Sequence, residues 1–108
     1  MVLHELGHIA AATDAEFLMP NLGLPDGGLP LTDRIRECEF MAAAFQAKLL
    51  CELGDKGAAA RIVNVSSAIF RLDKRKLKAA SYSDAYGIDA LRRELDRKRA
   101  LIPEPVCV

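Results

Sequence analysis

"ARIVNVSS", residues 60–67, is the stretch on which the reading of the chain turns. It concentrates Ile62, Val63 and Val65, and β-branched side chains are stiff at χ1 and favour a pleated, half-buried surface. A short apolar run of this kind reads as a strand of the type that a parallel sheet buries on both faces. Working outward, residues 32–53 predict a long helix. Thr32 or Asp33 caps its start, Ile35, Cys38, Met41, Ala42, Phe45, Leu49 and Leu53 recur at near-helical spacing, and Gly54 stops it. Before it, "PNLGLPDGGLP", residues 20–30, reads as a loop, and "AEFLM", residues 15–19, as a short strand ended by Pro20.

Strand, loop, helix and strand make a β-α-β crossover. The fold expected is therefore α/β, a single partial Rossmann-like domain over residues 1–108 with parallel strands in a three-layer arrangement. Two such strands need neighbours, so the chain reads as truncated. Ligands of such sheets bind at the carboxyl ends of the strands, here residues 20–28 and 64–67. Beyond them, "RLDKRKLK", residues 71–78, reads as a solvated loop or turn of helix. Ser83 or Asp84 caps a last helix, with Ile88, Leu91 and Leu95 inward and Arg92, Arg93, Arg97, Lys98 and Arg99 outward.

Composition narrows the function. The 15 basic and 15 acidic residues cancel, so no general attraction for nucleic acid or anionic lipid is expected. Three cysteines without Cys-x-x-Cys spacing argue for a reducing compartment, hence a cytoplasmic protein. No apolar run approaches the roughly 20 residues of a membrane helix.

The order and spacing of residues 16–67 resemble the middle of a short-chain dehydrogenase/reductase, a family of NAD(P)-dependent oxidoreductases on a Rossmann fold. "PNLG", residues 20–23, is similar to the family's Asn-Asn-Ala-Gly turn, retaining Asn21 and Gly23. "NVSS", residues 64–67, matches its Asn-x-Ser-Ser strand end. The resemblance implies Asn21, Gly23 and Asn64 as cofactor-binding residues for NAD or NADP. It implies Ser67 and Tyr82 as catalytic residues acting on a carbonyl or alcohol substrate, Tyr exchanging the proton and Ser binding the oxygen. The chain departs from the family at three points. Tyr86 stands where Lys should follow Tyr82 by four residues, Glu39 replaces the helix-entry Asn, and no glycine-rich phosphate loop is present. The enzyme so implied is weak or inactive alone.

"VLHELGHIAAA", residues 2–12, carries a different chemistry. His4 and His8 are spaced to share one face of a helix, and Glu5 stands beside them as a base for a metal-activated water, the His-Glu-x-x-His arrangement of zinc peptidases. A third ligand is required, which Glu37, Cys38 or Glu39 could supply. The stretch 36–50 resembles the glutamate helix of small zinc peptidases, without the small residue and Asn or Asp expected after the Glu. The bland alternative is an amphipathic helix with Leu3, Leu6, Ile9 and Ala10 inward and His4, Glu5 and His8 toward water. A third class is a noncatalytic interaction remnant that associates with itself through unpaired sheet edges.

Overall fold

A computed structural model of the chain describes residues 2–18 and 32–102, with side chains from residue 6 onward. Every element among them is helical: α1 (Val2–Ala11), α2 (Asp14–Phe17), α3 (Asp33–Glu52), α4 (Lys56–Phe70), α5 (Lys74–Ala80), a 3-10 turn (Asp84–Tyr86) and α6 (Ile88–Arg99). The α/β, Rossmann-like expectation is overturned, and the Rossmann fold that the family resemblance implied conflicts with these helices. Residues 15–17 lie in α2, and residues 60–67 lie inside α4. With no strand among the described residues, they offer no sheet edge for self-association.

The reason is visible in local chemistry. Asp55 accepts a hydrogen bond from the backbone of Ala58 and so caps α4. From there Ala59, Val63 and Ser66 recur at helical spacing and are the residues that α4 buries. β-branching costs a helix only a few tenths of a kcal/mol per residue, and burial of one face outweighs that. The fragment 13–16 is a capping box. Glu16 N donates to the Thr13 hydroxyl and Thr13 N to the Glu16 carboxylate.

The long helix α3 was legible. Thr32 caps it, and its end is a Schellman motif in which Asp55 N donates to Leu50 O and Gly54 N to Cys51 O. Gly54 holds φ at +86°, a conformation that favours glycine. Cys38, Ala42, Phe45 and Leu49 are buried as expected, whereas Leu53 at the cap is 76% exposed. Helix α4 ends on Arg71 in the left-handed conformation, and the predicted charge cluster follows as the short helix α5, capped by Asp73.

α3 is the shared wall of two apolar cores. On one side Ala43, Ala44 and Ala47 pack with Ala59 and Val63 of α4 and Leu77 and Ala80 of α5. On the other, Phe45 and Leu49 pack with Ala10 of α1 and Ala90 and Leu91 of α6, and Phe45 meets Tyr86 edge to face at 5.2 Å between ring centroids. None of the described helices is long and apolar enough to cross a membrane.

Candidate metal centre

α1 meets α3 at a glycine. A Cβ at Gly7 would stand 2.8 Å from both Cα and O of Ala42 and 3.2 Å from its carbonyl carbon. The two backbones touch there, and only the absence of a side chain permits it. On α3 the facing residue Ala42 is fully buried.

This close crossing brings together the next residue of α1 and the residue one turn back along α3. His8 Nε2 lies 3.1 Å from Glu39 Oε1, with side chains 9% and 11% exposed. The expectation of a water-facing His8 is therefore corrected. Of the three candidate third ligands, Glu39 is the one at His8. Glu37 instead accepts a hydrogen bond from Arg34 Nη1 at 2.8 Å, its side chain 62% exposed. The Cys38 thiol is buried, and burial pushes its pKa up, away from the thiolate a metal would need.

The spacing is that of a hydrogen bond. Two ligand atoms about 2.1 Å from a tetrahedral zinc stand about 3.4 Å apart, so the His8–Glu39 separation is close to one edge of such a site. His4 lies in α1 one helical turn before His8, with Glu5 after it; the side chains of both fall outside the described residues. Among the described residues no group of three or more His, Cys, Asp and Glu side chains gathers to hold a metal.

The C-terminal end of α1 is fixed by two cations. Lys98, only 1% exposed, donates from Nζ to Ala10 O at 2.9 Å and to Glu94 Oε2 at 3.2 Å. Arg34 Nη2 donates to Ala11 O at 3.1 Å. Both satisfy carbonyls that a helix end leaves without partners, and both are the charge that a helix C-terminus favours. Arg34 also grips Glu16 through Nε at 3.0 Å and through Nη2. That hydrogen bonding holds the Glu16 carboxyl down to about 2, against an ordinary 4.5. Asp14 of α2 pairs with Arg97 of α6. The helix bearing His8 is thus tied to both α3 and α6 within a turn of the His8–Glu39 pair.

Sequence reasoning placed Lys98 outward. Its burial could have been found from spacing, since Leu91, Leu95 and Lys98 form one helical stripe. Gln46, 2% exposed, is a second buried polar residue that the sequence reading passed over.

The residues assigned by the oxidoreductase resemblance are placed differently. Asn21 and Gly23 lie outside the described residues. Ser67 sits in the last turn of α4, where its hydroxyl donates back to Val63 O. Asn64 and Tyr82 do come together, as lining of a pocket of about 230 Å³ between α4 and α5 from which Ser67 is absent. Tyr86 packs on Phe45 instead. No protein-family model matches this chain, and no curated protein or solved structure matches it either.

Proposed function

We propose that the chain carries a zinc-dependent hydrolytic site of the peptidase type, with His4, His8 and Glu39 as ligands and Glu5 as general base. The observation that supports it is the buried approach of His8 Nε2 to Glu39 Oε1 at 3.1 Å across two helices. One imidazole nitrogen and one carboxylate oxygen converge there, the donor types zinc takes, and the spacing fits two ligands of a tetrahedral ion. When bound, zinc supplies a Lewis acid that polarises a carbonyl and makes water a nucleophile near neutral pH.

The chain's own residues do the rest. Glu5 takes a proton from the attacking water as the new carbon–oxygen bond forms, then passes it to the amine nitrogen as the carbon–nitrogen bond breaks. Glu39, set opposite His8 by the α1–α3 crossing, would supply the carboxylate ligand beside the His8 imidazole. Lys98 and Arg34 hold the end of α1, and so the angle at which it presents its ligands.

The competing reading is structural, favoured by the same 3.1 Å distance: a hydrogen-bonded His–Glu strut that pins α1 on α3. Calorimetric zinc titration of the metal-stripped chain separates the two. The zinc reading expects one ion per chain, binding weakened at least about tenfold in Glu39→Gln and retained in Glu5→Gln, with hydrolysis of an unfolded protein substrate abolished in Glu5→Gln. Absence of a saturable zinc site in the wild-type chain would leave the strut.

A further inference from the structure

The pocket between α4 and α5 is unrelated to the His8–Glu39 pair. It is lined by Lys56, Lys74 and Lys78, with Asn64 and Tyr82 beside them and Ala59, Ala60 and Val63 as apolar wall. No carboxylate is among its lining residues. Elsewhere, the largely covered lysines meet acids: Lys48 pairs with Glu52 and Asp84, and Lys98 with Glu94. The two aspartates adjacent in sequence to the pocket lysines are not in its lining. Asp55 accepts from Ala58 N and Asp73 from Lys76 N, each capping its helix.

In a chain with 15 cations and 15 anions, three lysines lining one concavity with no acid in the lining is a local imbalance. Like charges held around one hollow repel one another, and an apolar wall on one side reduces the screening. An anion in the hollow removes that repulsion and accepts hydrogen bonds from three lysines, an amide and a phenol. At about 230 Å³ it has room for several waters of about 30 Å³ each, hence for a tetrahedral oxyanion with a small attached group.

We propose that this pocket is a binding site for a phosphate group, free or as the head of a small phosphomonoester, in which Lys56, Lys74 and Lys78 neutralise the charge and Asn64 and Tyr82 orient it. Lysine suits this role as a compact point charge with three donors. The site does not use the metal centre and stands or falls separately from it.

The test is calorimetric titration of the full chain, with chelator present, by inorganic phosphate, by glycerol 3-phosphate and by glycerol. Saturable binding of one phosphate or one ester per chain is expected, with none for glycerol. Lys74→Gln and Lys78→Gln each weaken it about tenfold, while Lys76→Gln, on the same helix but outside the lining, leaves it unchanged. Tighter binding of the ester than of phosphate identifies an ester ligand, and equal or weaker binding a free anion; either supports the site. No saturable heat at millimolar phosphate or ester would overturn the proposal, as would a Lys76→Gln effect as large as the other two. The substituted lysines are exposed, so the fold is retained, and an unchanged helical circular dichroism spectrum verifies it.

Discussion

Gly7→Ala is the substitution whose sign tests the packing. In an α-helix, Ala in place of an interior Gly ordinarily stabilises by about 0.5–1 kcal/mol, because the unfolded chain loses freedom and the helix gains propensity. At Gly7 the new methyl would sit 2.8 Å from Ala42 Cα and O, some 0.6 Å inside the 3.4 Å at which ordinary contact begins. The obstructing atoms are backbone of the central helix and cannot rotate away. The helices must separate, and overpacking of this kind costs about 1–3 kcal/mol. Subtracting the propensity gain leaves a net loss of about 0–2.5 kcal/mol. Gly57 in the first turn of α4 is the control, since a Cβ there would meet only Arg61 Nη1 at 3.7 Å and Asp55 Oδ1 at 3.8 Å. Urea unfolding followed by circular dichroism should give a lower midpoint for Gly7→Ala and an equal or higher one for Gly57→Ala, with unchanged slopes. A stabilised Gly7→Ala would refute the close α1–α3 crossing, and with it the geometry that joins His8 to Glu39.

Further expectations follow from individual contacts. Lys98→Met removes the donor to Ala10 O and leaves a buried carbonyl without a partner; a loss of about 1–3 kcal/mol is expected, measured by the same urea series. Phe45→Ala empties the core between α3 and α6 and should cost about 3–5 kcal/mol, read as a large drop in the unfolding midpoint. Because the folded-state pKa of Glu16 is depressed to about 2 from 4.5, its ion pair contributes stability that is present above pH 4.5 and lost as the pH falls toward 2. Glu16→Gln should therefore be less stable than the parent near neutrality and converge with it in acid, a comparison made by thermal melts across that range.

What the sequence disclosed, and what it hid, can be argued helix by helix. α3 was readable because several local signals agree: the Thr32 cap, the spacing from Cys38 to Leu49, and Gly54 in a position only a left-handed residue serves. α4 was misread because Ile62, Val63 and Val65 were weighed by β-propensity, which is dominated by context. The period of Ala59, Val63 and Ser66 and the Asp55 cap were in the same residues and point to a helix. Residues 15–17, read as part of a strand in the same way, lie in α2, and Thr13-x-x-Glu16 is a capping box that sequence alone displays; Met19 lies outside the described residues. That error carried the rest, since two false strands made a crossover and the crossover lent a Rossmann register to "NVSS".

The candidate site fared differently. His4, Glu5 and His8 declare themselves by spacing, and Glu39 was one of three possibilities on α3. Choosing among them needs the α1–α3 crossing, which is set by a backbone contact at Gly7 that no local pattern reveals. Lys98 was hidden for a related reason: a long charged side chain is normally assigned to solvent, and only its stripe with Leu91 and Leu95 marks it as inward.

The most direct measurement is X-ray absorption at the zinc edge of the zinc-loaded chain. The account predicts a first shell of two imidazole nitrogens and at least one carboxylate oxygen, at about 2.0–2.2 Å, and loss of an imidazole contribution in His8→Ala. A sulfur scatterer at about 2.3 Å, which would place Cys38 on the metal, or a shell of water oxygens alone, would contradict it.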